Sequence, residues 1–184
     1  DYVRTDTSVF GDTDSALDWC ENRLLAQGRP RPMADIFPVP LRAMNILGGF
    51  AAQETALLES IVEEVDYAQG ETIIRENDRA EELFLLAAGT VSVCLRLTDG
   101  NRRRRVSTIT PGLAFGEIAL LDGGKRSADV IADEPAVCYV LPIAKLRALA
   151  SNHPAIETKL IFNICRELSA RLRRADAEIR SLAE

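Results

Sequence analysis

The sequence predicts an α+β chain: a sandwich or small β-barrel of short strands, with helices before and after it. Three observations carry this. Between residues 51 and 142, short runs of alternating polarity are separated by glycine-containing turns. A helical pattern precedes them. After Pro142 the pattern returns to helix and stays helical to the end of the chain.

The chain has 184 residues, enough for one well-buried core. It is 47% hydrophobic and 27% charged, with a formal net charge of −6. That balance speaks against a partner such as nucleic acid that is held by a large basic face. No apolar run approaches the roughly 20 residues that span a bilayer, and the sequence gives no reason to expect a signal peptide. The sequence opens at Asp1 without an initiator Met, as a piece cut from a longer protein would. Cys20, Cys94, Cys138 and Cys165 are widely spaced, with no CxxC pair. They read as buried or semi-buried free thiols in a reducing, cytoplasmic compartment, and neither a zinc site nor a disulfide framework is expected.

Residues 1–25 contain "VFGDTDSALDWCENRLL". Asp14 or Ser15 can cap a helix here, with Leu17, Cys20 and Leu24 on one face. Residues 26–50 hold Pro30, Pro32, Pro38 and Pro40, half of the eight prolines. They predict a stiff, extended linker with little regular structure. Residues 51–184 then form the main domain. In "QETALLESIVEEV", Leu57, Leu58, Ile61 and Val65 have helical spacing. In "TVSVCLRLTDGNRRRRVSTIT", Val91, Val93, Leu95 and Leu97 alternate with polar or smaller residues, and Asp99-Gly100 supplies a hairpin turn. "DEPAVCYVLP" reads as the last strand, and "IAKLRALA" as a short helix. A long helix then starts at Pro154, a permitted first-turn position. Ile161, Cys165, Leu168, Leu172, Ala175, Ile179 and Leu182 follow each other in steps of four and three. That is a heptad seam, and it favours self-association.

The stretch "FGEIALLDGGKRSADV" carries the chemistry. A short helix beginning near Gly116 would turn free backbone N–H groups towards an anion. Gly116 lets the backbone approach closely. Arg126 supplies a permanent charge and a fork of donors suited to phosphate oxygens, and Ser127 a hydroxyl. Glu117 would repel a bare phosphate. A carboxylate in this place fits a ligand that also offers hydroxyl donors, such as a sugar phosphate or nucleotide. The competing explanation is a surface ion pair between Glu117 and Arg126, worth at most about 1 kcal/mol.

This stretch resembles the phosphate-binding cassette of cyclic nucleotide-binding domains. "GETIIRENDRAEELFLLAAGTVSV" is similar to the early strands of that family, with Gly70 and Gly89 at its usual glycine positions. The resemblance covers roughly residues 45–182. It implies an eight-stranded β-roll (a jelly roll), a short cassette helix, flanking N-terminal helices and a long C-terminal helix. It further implies that the backbone of Gly116 and Ala119 donates to a cyclic phosphate, with Ile118 in the same cassette. Glu117 would accept from a ribose 2′-hydroxyl and Arg126 would clamp the phosphate. Ser127 and Ala128 would complete the cradle, and Arg171 falls near where family members reach down to cap the base. Asn77 stands where the family often has a turn glycine, and Lys125 where a proline precedes the arginine. In the family a hydroxyl directly after the arginine helps with guanine, usually as threonine; with Ser127 in that place, cyclic AMP is favoured over cyclic GMP as ligand.

The first helix is similar to the end of a STAS domain, which together with the rest resembles the C-terminal region of bacterial sulfate-permease-family transporters or of some bacterial glutaminases. The expected function is a cytoplasmic regulatory module acting on such a parent. The alternative is an assembly module that keeps the fold without binding nucleotide. No enzyme activity, metal or membrane insertion is expected of the fragment. His153 and Cys165 are not adjacent on a helix face, and "RRRR" at 102–105 reads as an exposed basic loop.

Overall fold

The computed structural model describes residues 37–97 and 103–182. The helix expected within residues 1–25 and the turn at Asp99-Gly100 lie outside them.

Helix α1 (Ala52–Glu59) leads into strands β1 (Glu63–Tyr67), β2 (Thr72–Ile74), β3 (Glu82–Ala88), β4 (Val91–Arg96), β5 (Arg103–Ile109) and β6 (Ala114–Phe115). The short helix α2 (Ile118–Asp122), β7 (Asp129–Ala132), β8 (Ala136–Pro142), α3 (Ile143–Asn152) and α4 (Pro154–Leu182) follow. The eight described strands make two antiparallel sheets, β1-β8-β3-β6 and β2-β7-β4-β5. The α+β roll expected from the sequence is the fold observed.

The sequence of β3 explains how the layers stack. Leu83, Leu85 and Ala87 point to one side and Phe84 and Leu86 to the other, and all five are buried. A strand covered on both faces reads as a continuous apolar run. Phe84 and Leu86 join Ile74, Val91, Ile109, Phe115, Val130, Cys138 and Val140 between the two sheets. Leu83 and Leu85 join Val137, Leu141, Leu146, Ile156, Leu160 and Ile164 under the helices. Sheet β1-β8-β3-β6 thus divides two apolar cores.

Three expectations are corrected. The second half of the 26–50 segment is not a bare extended linker. Leu41–Ala43 and Asn45–Leu47 form 3₁₀ turns. Leu41, Met44, Ile46 and Leu47 enter the helix-side core. Pro40, at φ −64°, precedes the first turn in a conformation its ring already favours. Next, the helical spacing from Leu57 to Val65 does not continue as one helix. Helix α1 stops at Glu59, and Val65 pairs with Cys138 in β1–β8. Short apolar runs leave helix and strand ambiguous, and the partner strand decides here. Finally, the alternation through β4 holds at Val91 and Val93, which face the inter-sheet core, but Leu95 is 42% exposed and Cys94 is buried; the register irregularity alongside lies in β5, where Val106 is unpaired.

Helix α4 has 29 residues, about 44 Å at 1.5 Å per residue. Ile156, Leu160 and Ile164 seat its first half on the domain, and Leu168 is packed partly against the same core. On the predicted seam, Leu172 and Ile179 are 64% and 65% exposed. Cys138 and Cys94 are buried thiols, whereas Cys165 is exposed. Burial pushes the Cys138 thiol up to about 12. No described helix is long and apolar enough to cross a membrane.

Candidate functional site

Gly116 lies at the end of β6 with φ +75°, a conformation in which side chains are strained. A Cβ there would stand 2.6 Å from Nη1 of Arg126 and 3.1 Å from Ile74. Glycine is therefore required twice, by the backbone and by the arginine beside it. Glu117 follows, and its carbonyl accepts the amides of Leu120 and Leu121 as α2 begins.

Arg126 and Glu117 are both 5% exposed. They are held by different partners, so the surface ion pair considered above is ruled out. Arg126 Nη1 donates to Gly116 O at 3.1 Å. Its Nη2 donates to Glu82 O at 2.8 Å and meets the Glu82 carboxylate at 3.4 Å. The guanidinium carbon lies 5.4 Å from the centre of the Phe84 ring, which stacks on Phe115 at 5.1 Å. A guanidinium has five N–H groups. These three bonds leave two for an incoming anion. Burial lowers the Arg126 pKa, opposed by the Glu82 charge, and arginine stays cationic in either case.

The backbone of Arg126 is suspended from the β2–β3 loop. Asn77 N donates to Arg126 O at 2.9 Å, and Arg126 N donates to Asp78 O at 3.0 Å. Asn77 adopts φ +71°, the left-handed conformation that lets asparagine stand in for glycine. Lys125 bridges to Arg79 on the same loop. Ser127 is exposed, and Ala128 is buried.

On the other side, Arg171 of α4 reaches Glu117. Its Nη1 donates to Glu117 Oε1 at 2.9 Å, and its Nη2 donates to the Ala114 carbonyl and to Glu167. The structure thus brings Gly116, Glu117, Arg126 and Arg171 to one rim of the roll. Ile118, at the start of α2, is 44% exposed beside them. Sequence reasoning missed Glu82 and Phe84 as neighbours of Arg126. They lie 44 and 42 positions upstream, and only the pairing of β3 with β6 brings that strand alongside the glycine.

A β-roll with a buried arginine and a buried carboxylate on one rim, and a helix reaching back to the carboxylate, has the architecture of a regulatory domain. Residues 64–153 match the cyclic nucleotide-binding domain family, and this segment is a domain of that family. It is 34% identical over 167 residues to Glutaminase 1 of Bradyrhizobium diazoefficiens, covering 90% of this chain and 26% of that protein. It is 32% identical over 139 residues to the cyclic AMP receptor protein of Thermus thermophilus, covering 76% of this chain and 62% of that one. Among solved structures, a cyclic nucleotide-binding domain from Methylobacillus flagellatus superposes with a TM-score of 0.68 at 25% identity, covering 76% of this chain and 79% of the other. The chain thus spans about a quarter of the glutaminase and under two thirds of the receptor protein.

Proposed function

We propose that this domain binds a cyclic nucleotide, cyclic AMP in preference to cyclic GMP, and passes the change to a larger cytoplasmic parent protein. The observation that carries this reading is the placement of Arg126 and Glu117. Each is buried, and each has its own partners on either side of a positive-φ glycine. Arg126 is fixed by Gly116 and Glu82 and still keeps two N–H groups to offer an anion, while Glu117 is an acceptor held ready beside it. Arg126 takes the cyclic phosphate, and Glu117 takes the ribose hydroxyl. Ser127 and Ala128 close the cradle, with backbone donors from Gly116 and Ala119.

Transmission follows from Arg171. A ribose hydroxyl that donates to Glu117 competes with the arginine on α4, so ligand and helix compete for one carboxylate. Coupling of this kind needs only that the two states differ in affinity.

A glutaminase-like parent is supported by the reach of the alignment. At 90% of the chain it extends into the first 30 residues, whereas the receptor-protein alignment covers 76%. A transporter of the sulfate-permease family is the other parent considered. The reading assigns this domain ligand binding and no catalysis, with no nucleic acid as partner. Its test is calorimetric titration with cyclic AMP and then cyclic GMP, on protein first shown to carry no bound nucleotide. Saturable binding at one site per chain, tighter for cyclic AMP, is the expected result. A second reading, an assembly module without ligand, is favoured by the exposed Leu172 and Ile179. It predicts a stable dimer and no binding heat.

A further inference from the structure

The most deeply buried ionised group described in the domain is one to which the sequence assigned no role, although it lies within the cassette stretch. Asp129, the first residue of β7, is 0% exposed. Its Oδ1 accepts the Glu76 amide at 2.8 Å and Arg96 Nη2 at 3.2 Å. Its Oδ2 accepts Arg96 Nε at 3.2 Å and lies 3.1 Å from Arg103 Nε. Arg96 ends β4 and Arg103 opens β5, so both flank the hairpin turn. Arg103 belongs to the basic run 102–105 that the sequence presents as a solvated loop. In the structure this arginine is a counter-ion for a buried acid.

The bond to Glu76 is the informative one. Glu76 begins the loop whose next two residues, Asn77 and Asp78, hold the peptide of Arg126. A chain of contacts therefore runs from Arg96 and Arg103 through Asp129 to Glu76, then to Asn77 and Asp78, and ends at Arg126. We propose that Asp129 is the positioning residue of the anion clamp: with Arg96 and Arg103 it fixes the 76–78 loop, and through that loop it sets where Arg126 stands. The inference rests on the reading of Arg126 as the phosphate-binding arginine.

Positioning by Asp129 has a signature that general stabilisation lacks. In Asp129→Ala, amide hydrogen exchange at Glu76, Asn77 and Arg126 rises at least tenfold relative to the amides of β3 and β8. Cyclic AMP affinity falls at least tenfold. In an Arg126→Ala background the same substitution changes affinity less than twofold, because its effect passes through Arg126. Asp129→Asn keeps an acceptor for Glu76 and falls between the two. If Asp129→Ala does not fold, Asp129→Asn and the half-exposed pair Arg96→Gln/Arg103→Gln carry the same comparison. The proposal is overturned if exchange rises uniformly or not at all, or if the affinity losses at Asp129 and Arg126 add in full. If the wild-type chain binds no cyclic AMP, the ligand reading fails, and the exchange pattern still decides whether Asp129 holds the loop.

Discussion

At the scale of the residue, the proposed function makes Arg126 the group on which affinity depends. Its two uncommitted N–H groups would make charge-assisted bonds to phosphate, each stronger than a neutral one. Arg126→Ala is expected to cost about 2–3 kcal/mol of cyclic AMP affinity, roughly 30- to 150-fold by calorimetry. Unchanged affinity would remove the cassette assignment. Much of this site was legible in the sequence, since Gly116, Glu117 and Arg126 sit within eleven positions and their side-chain chemistry is unusual in combination. What was not legible is what holds them. Glu82, Glu76 and Asp129 are ordinary surface-type residues in a linear reading. Only the fold brings Glu82 to Arg126 and Glu76 to Asp129, and spacing along the chain carries no sign of either contact.

At the scale of the element, α4 is divided between two tasks. Its first half is seated on the core through Ile156, Leu160 and Ile164, and beyond it Arg171 ties the helix to Glu117. The sequence showed the seam of 161, 165, 168 and 172 but not the face of 156, 160 and 164. Both faces have helical spacing, and only the seam keeps a heptad rhythm. The tie is testable without ligand. Arg171→Gln removes the ion pair to Glu117 and the bond to the Ala114 carbonyl while keeping a polar, uncharged side chain in place. Faster amide exchange is expected in α4 beyond residue 168, with β3 and β8 unchanged. Equal exchange throughout would mean that the helix is held by its apolar face alone. The hairpin of β4 and β5 carries a parallel lesson: its alternation predicted two strands and the inward side of Val91 and Val93 correctly, but not the exposure of Leu95 or the unpaired Val106 in β5.

At the scale of the whole molecule, two measurements probe what the fold leaves open. The exposed Leu172 and Ile179 predict that the chain self-associates and that Leu172→Glu/Ile179→Glu is monomeric by sedimentation, with the roll unperturbed by circular dichroism. The second concerns acid. Burial works to raise the Asp129 pKa, but hydrogen bonds from Arg96 and Glu76 and the charge of Arg103 outweigh it and hold the carboxyl below its ordinary value. A depressed carboxyl stabilises the fold in full above its unfolded pKa of about 3.9, and the contribution is lost as pH falls through the folded value. Wild type should therefore melt above Asp129→Asn by a constant margin down to about pH 5, and the margin should close below about pH 4. A margin unchanged at low pH would deny the ion pairs their role.

Strand β6 is only Ala114 and Phe115, yet it touches both cores: Ala114 lies with the helix-side cluster and Phe115 with the inter-sheet cluster. The Ala114 carbonyl is also the acceptor for Arg171, and the Phe115 ring stacks on Phe84 beneath Arg126. Two residues are too few to absorb a displacement between them. If α4 releases that carbonyl, the ring next door is expected to respond, and the rotation rates of Phe84 and Phe115 would then be a clock for whether the distant helix is latched or loose.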